Sequence, residues 1–252
     1  MGDLVAGATY PLRAWVVLSR TPSLWGYVVI PILVNLMVGA ALYLGLLLAG
    51  LRYIDALIAG LPAWAAVLAV LLRVLLVLGL LLAIGFVVAR FGVVLGAPWY
   101  ARLSVRLEQL RTAQPRGTRA TGIVAAAREL AQALLYELKK LLLVLAVGVL
   151  LLLLTAVPAV GPVLASAGGV ALGATITCLD FLDAPLERRG FRFRSKLGVV
   201  YRTMPASAGF GLAGFGLVSI PFLNLLFIPL CVAAGTLFFC DRVWPDLEAT
   251  HR

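Results

Sequence analysis

Three stretches of this sequence put polar side chains where they could do chemistry. The first is TPSLWGYVVIPILVN, residues 21–35. Thr21 fits an N-cap and Pro22 the first position of a long apolar helix. The unpaired N–H groups over Ser23, Leu24 and Trp25, together with the helix dipole and nearby Arg20, would favour a bound anion. Every helix has such an end, so the stretch is not specific by itself. The second is Arg73, the one charge well inside an apolar run. An intramembrane arginine is costly enough to face a partner or a water-filled path, unless its helix is long and the side chain snorkels outward. Both readings stay open. The third is FLDAPLERRGFRFRSK, residues 181–196, with seven charged side chains in sixteen residues. Asp180 and Asp183 follow a descending helix, where acids oppose the dipole unless neutralised. Arg188 and Arg189 are the nearest cations, and a contact from Asp183 to one of them is expected to close this joint.

Bond-making chemistry is not indicated. The only histidine, His251, is one residue from the end of the sequence, so no Ser/His/Asp set can form, and there is no HExxH, P-loop or strand-associated glycine fingerprint. Cys178, Cys231 and Cys240 lack CxxC spacing and read as small apolar packing residues. No cofactor and no metal are expected. Glycines such as Gly169 and Gly173 recur at small-xxx-small spacing, a signature of close helix contact.

Positioning these residues falls to apolar helices. Of the 252 residues 63% are hydrophobic and 13% charged, and the mean hydropathy is +1.07, which marks an integral membrane protein. Polar material comes only in short pieces, so the chain reads as one membrane domain over 1–252. Residues 4–20 alternate apolar and polar positions and predict an amphipathic helix that is retained rather than cleaved as a signal. A long helix over 22–50 is roughly 40 Å at 1.5 Å per residue, enough to cross the hydrocarbon layer. A connector at 51–62 leads to a second long membrane helix over 63–90. Amphipathic helices over 97–140 then put Leu103, Leu107 and Leu110 on one face and Arg102, Arg106 and Gln109 on the other. The later face has Leu130, Leu134 and Leu138, and such helices lie along or dip from a membrane surface. TAQPRGTRATG, 112–122, is a polar turn between them.

The remainder reads as hairpin 1 over 141–182 with its turn at VPAVGP, a basic joint over 183–202, and hairpin 2 over 203–241 with its turn at IPFLN. Thr175 and Asp180 recur 61 positions later as Thr236 and Asp241, a weak internal repeat. Neither turn carries charge. The hairpins therefore either stop partway through the bilayer, which requires burial in an assembly or beside a wet path, or span it with very short loops. Nine Lys/Arg against three acids over 90–140, and six against three over 180–202, place both basic regions in the cytoplasm, while the connector is balanced. The basic excess points to topology and lipid contact, not to nucleic acid.

The C-terminal third carries a resemblance. FLDAPLERRGFRF, SAGFG and SIPFLNLLFIPLCVAAGT resemble, in order and spacing, the CysZ sulfate-permease family, grouped with etoposide-induced-protein-like membrane proteins. The matching residues are Asp183, Pro185, the basic turn at Arg188, Phe193, Phe210, Gly211, Ile220, Pro221, Asn224, Pro229 and Thr236. Upstream, Pro22, Pro31, Asn35, Ala97–Pro98 and VPAVGP look like family elements too. Three departures stand out: Ala184 replaces an aromatic, Ala234–Gly235 is inverted, and Ser23–Leu24–Trp25 stands where the family looks like Gly-Leu-Arg. With that arginine goes the charge that would pair with an anion, leaving backbone N–H groups and Arg20.

The resemblance implies an all-α polytopic membrane protein with two long transmembrane helices, two helical hairpins and amphipathic surface helices. It further implies sulfate uptake across the inner membrane, feeding sulfur assimilation. The expected partners are membrane lipids, sulfate or another small anion, and further copies of the chain in a homo-oligomer. The competing reading is a non-transporting scaffold or anionic-lipid-binding protein of the same fold.

Overall fold

The computed structural model describes residues 2–59, 62, 65–112, 123–220 and 224–250. Among them there are helices and no strand, as the composition predicts. The N-terminal amphipathic stretch forms α1 (Gly2–Ala8) and α2 (Tyr10–Arg20). Tyr10, Ala14 and Leu18, at helical spacing, are buried in the protein, while Leu12, Trp15 and Val16 on the other side are exposed. One face is core and the other carries exposed apolar side chains.

After a 3-10 turn at Pro22–Leu24, α3 runs over Trp25–Ile58. It passes position 50, where the first long helix was expected to end, so residues 51–58 are helix and not connector. An isolated glycine costs a helix only about 1 kcal/mol relative to alanine. Gly50 instead lets α3 approach Leu76 of the next helix. That helix, α4 (Ala65–Thr112), has 48 residues and pairs along α3. At 1.5 Å per residue it is roughly 72 Å long, more than twice the hydrocarbon thickness. The break expected between 90 and 97 is absent, and Gly96–Ala97–Pro98 is crossed without interruption. The change from apolar to amphipathic pattern marks where α4 leaves lipid for protein and water, and the backbone continues through it. Residues 97–112 are thus the protruding end of a membrane helix, not a separate surface helix. Of the predicted turn at 112–122, Thr112 ends α4 and the rest lies outside the described residues, as does His251.

α5 (Ile123–Leu154) and α6 (Gly161–Glu187) form the first hairpin, which turns at 155–160, so that Gly161 and Pro162 of VPAVGP already belong to α6. The predicted basic joint is mostly helix: Asp183 and Pro185 belong to α6, a bend follows, and α7 (Phe193–Arg202) opens at Phe193. α8 (Ala206–Val218) and α9 (Asn224–Phe238) make the second hairpin. Pro221, in its turn, lies outside the described residues. A π-turn (Phe239–Val243) and α10 (Trp244–Thr250) follow.

Among the described residues, four segments are long and apolar enough to cross a membrane: Pro22–Ile58, Ala66–Val88, Gly161–Glu187 and Asn224–Glu248. Few side chains of the first two are buried, as expected of helices solvated by lipid. α8, with 13 residues, is roughly 20 Å long and too short to cross alone. The core lies at the base, where α2, the end of α4, the ends of α6 and α9, and α8 meet around Leu103, Leu107, Leu182, Phe210 and Phe238. Tyr10 packs edge-on against Phe238 at 5.0 Å, and Phe238 stacks on Phe210 at 5.5 Å.

Helix contacts there are close. A Cβ on Gly211 would sit 2.3 Å from the carbonyl oxygen of Ala174, and one on Gly235 2.3 Å from that of Phe181. Only glycine fits either place. Of the pair singled out for packing, Gly173 meets the ring of Phe215, but Gly169 faces open space. Of the leucines on the amphipathic faces, Leu103 and Leu107 are buried, while Leu110, Leu134 and Leu138 are exposed. The three cysteines are buried and free, as expected.

Candidate functional site

The helix start read as an anion site is more closed than its sequence implies. Leu24 is buried in the core, so its side chain faces inward. The indole Nε1–H of Trp25 donates to the carbonyl of Leu18 at 3.0 Å, tying the end of α2 to the start of α3. Arg20 and Ser23 remain exposed, and Arg20 joins no ion pair among the described residues. Of the four predicted residues, Arg20, Ser23 and Trp25 are exposed and Leu24 is buried.

A more elaborate polar centre sits at the base, on residues that the amphipathic pattern did not single out. Ser104 and Glu108, one helical turn apart on α4, share the buried face with Leu103 and Leu107. Arg188 Nη2 donates to Glu108 Oε2 at 2.5 Å and to Ser104 Oγ at 3.1 Å. Arg189 pairs with the other oxygen of Glu108. The guanidinium of Arg189 also lies 4.5 Å from the ring centroids of both Phe239 and Trp244, a stacked arrangement that suits arginine. Thr236 Oγ1 reaches Ser104 Oγ at 2.8 Å. Two guanidinium groups meet one carboxylate, so the centre itself carries a positive excess.

The expected contact from Asp183 to Arg188 or Arg189 does not form. Both arginines are drawn to Glu108, and Asp183 accepts instead from Lys196 at 2.6 Å. Lys196 is 1% exposed, also pairs with Glu187, and sits 4.5 Å from the ring centroid of Tyr136. A buried ammonium requires this company. Phe193 packs edge-on against the same tyrosine at 5.7 Å. Lys140 pairs with Asp180 and Glu137, each at 2.9 Å. Burial pulls its pKa down, but Asp180 and Glu137 outweigh that and hold it above the ordinary lysine value. At the N-terminus, burial and then Asp241 push the Tyr10 phenol up, and Tyr10 donates to Asp241 at 3.3 Å.

Elsewhere, Arg73 finds a partner: its Nη2 donates to Asp55 at 2.7 Å. Asp55 lies on the part of α3 that was expected to be connector. Both side chains are about half exposed, so the pair lies on the outer surface of the single chain. Asn35 is buried and donates to the carbonyl of Gly92 at 2.9 Å, joining α3 to α4. Pro31, Pro185 and Pro229 are buried inside their helices, and Asn224 opens α9. A serine and an acid at i, i+4 beside buried leucines was the available signal for Ser104 and Glu108. For Lys196 no local signal existed, because its partners come from across a bend.

The family model described as Sulfate transporter CysZ/Etoposide-induced protein 2.4 matches residues 10–229. The chain belongs to this family. The match runs from α2 into α9 and so takes in Ser104, Glu108, Arg188 and Arg189, while Phe239 and Trp244 lie beyond it. Among relatives, the chain is 27% identical over 156 residues to the sulfate transporter CysZ of Pectobacterium atrosepticum, covering 62% of this chain and 56% of that protein. It is 27% identical over 142 residues to the sulfate transporter CysZ of Vibrio cholerae serotype O1, covering 56% of each. The chain thus spans about half the length of the curated relatives it matches.

Proposed function

We propose that this protein passes sulfate or a related small anion across the inner membrane toward sulfur assimilation, with its basic regions in the cytoplasm. Under this reading the protein is a transporter or channel, not an enzyme, and works as a homo-oligomer whose charge-free hairpin turns line or gate the path. The observation that carries it is the buried polar centre of Glu108, Arg188 and Arg189. It has excess positive charge and sits where the two hairpins of a CysZ-family chain meet. A fixed cationic centre in a low-dielectric surround attracts anions more strongly than it would in water. Arg20 and Ser23, exposed at the α2–α3 turn, are the proposed anion contacts on the same, cytoplasmic side of the protein.

Expression in a cysteine-requiring strain lacking its other sulfate importers tests the reading. Restored growth and radiolabelled sulfate uptake are expected. No rescue with the protein confirmed in the membrane would count against it. One observation favours a second reading, a non-transporting membrane scaffold of the same fold. Trp25 stands where the resemblance leads one to expect arginine, and its indole donates to the Leu18 carbonyl, so that this position supplies a hydrogen bond between two helices and no charge.

A further inference from the structure

The cations of the base divide into two sets. Arg188, Arg189, Lys140 and Lys196 each have an acidic partner. Between them they engage Glu108, Glu137, Asp180, Asp183 and Glu187. Lys139, Arg192 and Arg194 have no ion pair among the described residues and are exposed. These three line one groove between α5 and α7, a cavity of about 610 Å³ with no acid in its wall, whose apolar lining is Leu142, Leu197 and Phe193. Such a volume suits an organic ligand and far exceeds what a bare tetrahedral anion fills.

From this arrangement we infer that the groove holds an anionic phospholipid, its phosphate against Lys139, Arg192 and Arg194 and its first acyl segment against Leu142 and Leu197. Leu142 belongs to the exposed apolar run that starts at Leu141 and continues through Leu145 up α5. The groove therefore opens onto the face along which α5 enters the hydrocarbon. Cations at the water edge followed by apolar wall toward the membrane interior is the polarity of a phospholipid. A free oxyanion would gain nothing from the leucine wall. Two arginines add planar, bidentate donors matched to phosphate oxygens. Lipid in this groove would brace α7 against α5 at the joint between the hairpins, whether or not the protein passes sulfate.

The test uses the purified full-length protein in detergent, titrated with phosphatidylglycerol and with phosphatidylcholine of the same chains and followed by native mass spectrometry. The wild type is expected to retain phosphatidylglycerol in preference. Arg192→Gln with Arg194→Gln is expected to lower that preference roughly tenfold or more, since each basic residue near anionic lipid contributes about a fivefold factor. Arg192→Lys with Arg194→Lys keeps most of it. Exposed Arg102 and Arg106, changed to Gln together, control for net charge, and unchanged helicity by circular dichroism confirms folding of every variant. No change in the Arg192/Arg194 variant, or an equal loss in the Arg102/Arg106 control, overturns the proposal. Displacement of the lipid by millimolar sulfate at constant ionic strength also overturns it, by assigning the groove to a free oxyanion.

Discussion

Removing the charge of Glu108 would leave the two guanidinium groups in the buried base with neutral partners, Ser104 beside Arg188 and the Pro185 carbonyl with the Phe239 and Trp244 rings beside Arg189. Breaking one side of such a buried pair costs about 3–5 kcal/mol, because the remaining charge loses its compensation. Glu108→Gln is therefore expected to lower the thermal unfolding midpoint in detergent markedly. Adding Arg188→Gln to Glu108→Gln is expected to recover part of the loss, since the pair then disappears together. Simple additivity of the two single variants would show that they do not act as a unit. At the α2–α3 turn the same logic runs toward function. Trp25→Arg loses one hydrogen bond to Leu18 but restores a cation next to Arg20 and Ser23. A charge-assisted contact to the anion is worth about 1.5–3 kcal/mol, so sulfate binding measured by calorimetry is expected to tighten roughly tenfold. Unchanged affinity would remove this turn from the account.

Helices pack here by backbone approach where glycine allows it, and that makes single atoms decisive. Gly211→Ala places a Cβ 2.3 Å from the carbonyl oxygen of Ala174, so α6 and α8 must separate. Overpacking of this kind costs about 1–3 kcal/mol or more. The variant is expected to unfold at lower temperature, whereas Gly198→Ala in α7, whose added Cβ meets nothing within 4 Å, is expected to be neutral or slightly stabilising. The membrane elements were legible because long apolar runs have few other solutions. Their ends were harder to read. Gly50 and Pro98 both look like punctuation, yet α3 and α4 pass through them, because a partner helix or a change of solvent accounts for the residue without breaking the backbone. The site was legible in part. The basic joint was visible from its charges, but nearness in sequence suggested the wrong partner for Asp183. Lys196 lies thirteen residues on, beyond a bend, and Glu108 eighty residues before Arg188. Such pairings are set by how α4, α6 and α7 meet, which no local pattern encodes.

For the molecule as a whole, the packed base and the lipid-exposed arms predict an orientation. If the basic regions face the cytoplasm, Ser195→Cys at the start of α7 reacts with an impermeant maleimide only in inverted vesicles. Ala59→Cys at the far end of α3 reacts only in right-side-out vesicles. The native cysteines are buried and contribute little background. The opposite pattern would invert the topology and put the Glu108 centre on the wrong side for uptake. Anion passage itself is tested most directly with the purified protein in sealed liposomes, loading radiolabelled sulfate against protein-free vesicles and against an Arg20→Gln variant. The account predicts protein-dependent sulfate entry that falls in the variant. Sulfate entry no faster than in protein-free liposomes, with the reconstituted protein shown to be folded and inserted, would contradict it.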